Sequence, residues 1–142
     1  MNRDALRRQL IRHEGMRLRA YRDTVGKWTI GVGRNLDDLG ITEEEAMYLL
    51  DHDMQRVERE VRAAIPWFFE LDDARQMVLC NMAFNLGIAG LMGFRATLTA
   101  IKNRDYAGAA GLMLDSKWAR QVGHRAAELA SIMRDGTMTV PA

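Results

Sequence analysis

The sequence predicts an α+β fold that is mainly helical, and three observations carry that prediction. Strand formers gather in one early segment, Arg17 to Arg34, and almost nowhere else. Thr42 and Glu45 then make a capping box ahead of helical apolar spacing that lasts to Pro66. After Asp72 comes a stretch apolar on nearly every side, which reads as a buried central helix. The expected layout is a small antiparallel hairpin sheet in an N-terminal lobe, joined by a long helix to a helical C-terminal lobe. A chain of 142 residues, 48% of them apolar, fits one domain with a real core. Within residues 1–142 the small lobe is expected at about 15–45 and the connecting helix at about 43–64. The helical lobe is expected at 66–142, together with the first helix.

The elements follow in order. Asn2 caps a first helix with Leu6, Leu10 and Ile11 on one side, and Gly15 ends it. Leu6, Leu10 and Glu14 step by four, so Glu14 continues the apolar stripe, an odd place for a carboxylate. Tyr21, Val25, Trp28, Ile30 and Val32 favour strands, and Gly26, Gly31 and Gly33 punctuate short turns. On the long helix Ala46, Leu49, Leu50, Met54, Val57, Val61 and Ala64 keep helical spacing, and Asp53 falls on the same face. Asp72 caps the central helix, in which Met77, Val78, Leu79, Cys80, Met82, Ala83 and Phe84 lie together and which Gly87 ends. Shorter helices are expected at about Phe94–Lys102, Tyr106–Asp115 and His124–Arg134.

Composition narrows the function classes. The polar N-terminus lacks the apolar core of a secretion signal, and no stretch has the roughly 20 apolar residues needed to span a bilayer. The single cysteine, Cys80, has no internal disulfide partner, which suits a reducing compartment, and its apolar neighbours suit a packed thiol rather than a nucleophile. The net charge of +1 hides an asymmetry: residues 1–34 hold nine Arg/Lys against three Asp/Glu, and the remainder holds eleven against sixteen. A basic first third fits nucleic acid or an anionic cell-wall polymer, and charge alone does not choose. His13, His52 and His124 lack metal-ligand spacing, so no metal site is expected. Ser116 and Ser131 lack the glycines of a nucleophile elbow, and Gly31-Val32-Gly33 is too short for a phosphate loop.

Two carboxylates suit glycosidic bond cleavage, which needs a proton for the leaving oxygen and a second group to handle water or the cation-like centre. Glu14 suits the acid, because a core-facing stripe and a helix C-terminus both favour the protonated form. Asp23, in a polar turn, suits the ionised partner, and Thr29 offers a hydroxyl to hold the attacking water. The plain alternatives are a surface glutamate at a helix end and an aspartate capping its own turn.

The stretch HEGMRLRAYRDTVGKWTIGVGR, His13 to Arg34, resembles the signature of the phage-type lysozymes, glycoside hydrolase family 24. That pattern has a Glu-Gly pair ending a helix, an Asp nine residues after the Glu, and a T-I-G-x-G hairpin. Glu14, Asp23 and Thr29 fall on its acid, second carboxylate and water-holding threonine. NMAFNLG, Asn81 to Gly87, is similar to the central-helix motif, with Asn81 at a cleft-lining position. SKWARQVGHR, Ser116 to Arg125, resembles the segment whose last arginine sits under the catalytic glutamate, here Arg125. Arg125, Asn81 and Tyr21 are therefore the expected supporting and substrate-binding residues. Arg34 stands where the family usually has His, and His13 where an acid is common. The stretch from Gly33 to Thr42 is shorter than in T-even-type members. In the family that His pairs with an acid of the long helix, so the resemblance implies an Arg34–Asp53 pair.

The resemblance implies an inverting muramidase that cleaves the β-1,4 bond between N-acetylmuramic acid and N-acetylglucosamine of bacterial peptidoglycan, with no cofactor. A monomer without nucleic-acid partners is expected. With no export signal, it would wait in the host cytoplasm until a holin-type membrane protein released it to the periplasm and cell wall, or be carried on a virion. The rival readings are a lytic transglycosylase, which needs no second carboxylate or water-holding threonine, a non-catalytic wall-binding module, and a DNA-binding protein.

Overall fold

The computed structural model describes residues 1–138. The elements are α1 (Arg3–Glu14), β1 (Arg17–Arg22), β2 (Trp28–Gly31), β3 (Arg34–Asn35), α2 (Glu43–Ala64), α3 (Asp73–Met92), α4 (Arg95–Lys102), α5 (Tyr106–Leu114), α6 (Lys117–Val122) and α7 (His124–Asp135), with a short 3-10 turn at Phe68–Glu70. The fold is α+β and mainly helical, with one small antiparallel sheet in the order β1-β2-β3. By its internal contacts the chain forms two compact units, Met1–Leu49 and Leu50–Ala142, so α1 belongs with the sheet.

In the first unit, Asn2 caps α1 by accepting the Ala5 N–H at 3.0 Å, and Gly15 stops it with φ 76°. β1 pairs with β2 through Tyr21 opposite Thr29 and Arg22 opposite Trp28, with an irregularity between Arg17 and Tyr21. The β1–β2 turn is built by Asp23: its Oδ1 accepts the N–H groups of Val25 and Lys27 at 3.0 and 2.8 Å. This is the aspartate turn that the plain alternative anticipated. β2 pairs with β3 through Ile30 opposite Arg34. The capping box forms as expected, with Glu45 N–H donating to Thr42 Oγ1 at 3.1 Å and Thr42 N–H to Glu45 Oε1 at 2.9 Å.

Among the described residues, every buried apolar side chain lies between Val57 and Met133, so the hydrophobic core belongs to the second unit. α3 supplies Val78, Leu79, Met82 and Ala83, and α7, packed on α3 and α5, supplies Leu129, Ala130, Ile132 and Met133. Asp72 caps α3 through the Arg75 N–H, as its position suggested.

Four expectations need correction. α1 has no buried residue, and Leu6 and Leu10 are exposed, so helical spacing marked a face without telling what covers it. On α2 only Val57 and Val61 are buried. α3 is not closed on all sides, because Met77 and Phe84 are 44% and 45% exposed. Gly87 interrupts α3 rather than ending it: at φ 76° and ψ 163° it breaks the helix, which resumes to Met92. A further helix, α6, stands between the expected ones, capped by Ser116 accepting the Ala119 N–H at 3.1 Å.

Candidate active site

The residues expected to carry chemistry in the first unit sit on or beside the small sheet and its turns. Glu14 is the last residue of α1, and the Gly15 N–H bonds to the Ile11 carbonyl at 2.8 Å before the chain enters β1. Its carboxyl lies against the β2–β3 turn, where a β-carbon placed on Gly33 would fall 2.7 Å from Glu14 Oε2. Glu14 is exposed, so the desolvation expected from the apolar stripe is absent.

Asp23 and Thr29 are held by the neighbouring turn. Both bonds that Asp23 accepts from the turn fall on Oδ1. Thr29 is 3% exposed, and its hydroxyl donates to the Lys27 carbonyl at 2.9 Å, which commits its proton and leaves the oxygen as an acceptor. Tyr21, opposite Thr29, carries the Arg17 guanidinium 4.4 Å from its ring centre, and Arg22 stands over Trp28 at the same distance. Lys27 donates to Asp38 at 3.1 Å, and that contact raises the lysine pKa.

Arg34 and Asp53 lie in different units, and each has a partner within its own. The Arg34 guanidinium forks onto Glu45, Nη1 to Oε1 at 2.9 Å and Nη2 to Oε2 at 2.7 Å, and also donates to the Gly40 carbonyl. Asp53, 46% exposed, accepts from Arg56 at 3.3 Å. Both contacts are matters of local reach. Glu45 is already turned back by the capping box, and Arg56 lies one helical turn from Asp53. Glu45 is held down to about 2, first by the Arg34 side chain and then by the Thr42 N–H. The capping-box spacing had marked Glu45, but nothing in the sequence marked its second role or the place of Gly33.

In the second unit the structure joins two of the expected supporting residues. Arg125, in the first turn of α7, donates through Nε to Asn81 Oδ1 at 2.9 Å and through Nη2 to the Asn81 carbonyl at 3.3 Å. Both line an apolar groove of about 520 Å³ bordered by Met54, Met77 and Phe84. Cys80 also borders it, half-buried, and burial pushes its thiol pKa up. That suits the packed thiol expected of it. Among the described residues, no three His, Cys, Asp or Glu side chains gather closely enough to hold a metal ion.

Comparison with known proteins bears on this arrangement. The sequence model of the family described as Phage lysozyme matches residues 11–134. The pre-baseplate central spike protein Gp5 of Enterobacteria phage T4 is 31% identical over 91% of this chain, which spans only 27% of that protein's length. The endolysin of Salmonella phage P22 is 32% identical over 75% of this chain and 76% of its own. A Dictyostelium discoideum protein named "Probable T4-type lysozyme 1" is 27% identical over 88% of this chain and 91% of its own. The matched stretch takes in Glu14, Asp23, Thr29, Asn81 and Arg125 together, and the chain belongs to the phage lysozyme family.

Proposed function

We propose that the chain is a muramidase that hydrolyses the β-1,4 bond between N-acetylmuramic acid and N-acetylglucosamine in bacterial peptidoglycan, with inversion, and so lyses the cell. The observation that supports this most directly is the Glu14 carboxyl lying against the β2–β3 turn of the sheet that also carries Thr29 and the Asp23 turn, inside the stretch that matches the family. Glu14 gives its proton to the leaving glycosidic oxygen as the C1–O bond breaks. A water oxygen bonds to C1 from the opposite face and releases a proton. Thr29, whose own proton is committed to a carbonyl, accepts a hydrogen bond from that water and aims it. Asp23 is the carboxylate that takes the proton the water releases. Tyr21 contacts the glycan from β1.

Replacing Glu14 with Gln tests the assignment, since Gln keeps the size but has no acidic proton. Clearing of purified peptidoglycan should fall roughly 100- to 10,000-fold with the fold intact. A folded Glu14→Gln protein that clears at the wild-type rate would sink the assignment. Identifying product ends separates hydrolysis from the transglycosylase reading: reducing ends support the first, anhydromuramyl ends the second.

In this reading the protein acts as a monomer and meets the wall after release across the inner membrane by a holin-type partner. A second reading, carriage on a virion, is favoured by one observation, the likeness to a phage spike protein across 91% of this chain. Detecting the chain in purified particles would decide between them.

A further inference from the structure

Gly31, at the end of β2, and Gly33, in the β2–β3 turn, have nearly the same positive φ, 69° and 67°. Their surroundings differ. A β-carbon on Gly31 would meet nothing within 4 Å. One on Gly33 would fall 2.7 Å from Oε2, 2.9 Å from Cδ and 3.1 Å from Cγ of Glu14. Backbone conformation accounts for a glycine at both positions, but only at Gly33 is the missing side chain's space occupied, and its occupant is a carboxyl.

We propose that Gly33 is a positioning residue: its bare α-carbon is the seat of the Glu14 carboxyl and fixes the direction in which that carboxyl presents its proton. This rests on the reading of Glu14 as the acid. Glu14 is exposed and ends its helix, so α1 itself leaves the side-chain torsions free to turn. The seat on the β2–β3 turn ties the carboxyl to the sheet that also carries Thr29 and the Asp23 turn. A general acid acts only when its proton lies on the line to the leaving oxygen, and a displacement of about 1 Å costs about 100-fold in rate. A side chain at position 33 would push the carboxyl off that line without touching its chemistry.

The experiment compares Gly33→Ala with Gly31→Ala, which also puts a side chain at positive φ and leaves Glu14 alone. Kinetics on soluble glycan fragments should show kcat about 100-fold lower for Gly33→Ala, with KM within about threefold of wild type. Gly31→Ala should keep kcat within about threefold. Gly33→Asn supplies a second variant, because asparagine tolerates the left-handed region better than alanine. It should lose kcat as Gly33→Ala does. A thermal-unfolding cycle gives a readout that needs no activity. Gly33→Ala should lower Tm more than Gly31→Ala when Glu14 is present, and by the same amount as Gly31→Ala in a Glu14→Ala background. Equal kcat losses for the two alanine variants, or no coupling between positions 33 and 14 in the cycle, would overturn the proposal. If Glu14→Gln stays active while the cycle shows coupling, it is the assignment of Glu14 as acid that fails and not the seat.

Discussion

Replacing Arg75 with Met should detach the end of α7 from the start of α3. The Arg75 side chain is 13% exposed, and its guanidinium is fully engaged. Nε donates to the Met133 carbonyl at 2.6 Å, Nη2 to the Arg134 carbonyl at 3.0 Å, and Nη1 to Asp72 Oδ1 at 3.0 Å. Its central carbon stands 3.5 Å from the centre of the Tyr106 ring. The two carbonyls belong to the last turn of α7, where no further helical N–H is available and where a positive charge also meets the negative end of the helix dipole. Each such bond to a charged donor contributes about 1.5–3 kcal/mol, the ring contact about 0.5–1, and the more exposed Asp72 pair about 0–1. Met keeps the stem packed, and water replaces the guanidinium at Arg134, the more exposed of the two carbonyls. The net loss should be about 2–4 kcal/mol, or roughly 6–12 °C in Tm for a chain of this size. Urea unfolding followed by circular dichroism measures it directly. Arg75→Lys should recover less than half, since a point charge on a flexible stem does not bridge both carbonyls. A stability within about 0.5 kcal/mol of wild type for Arg75→Met would refute this account of how α7 is held.

Three further outcomes are expected. The pKa of Glu45 is lower folded than unfolded, so the stability it supplies is complete above its ordinary pKa and is lost as pH falls through about 2. Glu45→Gln should therefore flatten acid unfolding in that window, and an unchanged acid profile would count against the Arg34 fork. Asn85→Ala removes the acceptor 2.8 Å from the buried Trp118 indole N–H and should cost about 1 kcal/mol in denaturant unfolding. Gly87→Ala meets no atom within 4 Å, so its loss of about 1–3 kcal/mol should come from the backbone alone. A neutral or stabilised Gly87→Ala protein would show that the break in α3 is not demanded by the fold.

Much of this molecule was legible from local rules. Asn2, Asp72 and the Thr42–Glu45 box announced helix starts because a cap is a contact over two or three residues. The hairpin was legible because its glycines and strand formers lie in one short segment. Burial was harder to read, since a stripe such as Leu6–Leu10 looks the same whether covered or open. Distant side-chain pairs were harder still. Arg34 meets Glu45, which the capping box already holds, and spacing does not encode that geometry. For the site, sequence named Glu14, Asp23 and Thr29, but the groove made by the absent Gly33 side chain exists only in three dimensions. Arg125 was read by resemblance, and the structure gives it a definite partner in Asn81.

The Arg34–Glu45 fork also bears on how the length of this region can vary. It joins residues eleven apart in sequence, and with β3 at one end and the helix cap at the other it pins both ends of the intervening stretch. Once the ends are pinned, the entropy of closing the loop grows only with the logarithm of its length, about 0.6 kcal/mol for each doubling. Adding residues around exposed Asp37 and Leu39 would therefore cost little, provided Arg34 still reaches Glu45. Shorter and longer connections here would therefore differ little in free energy, so the size of this region can change while the turn that seats Glu14 stays as it is.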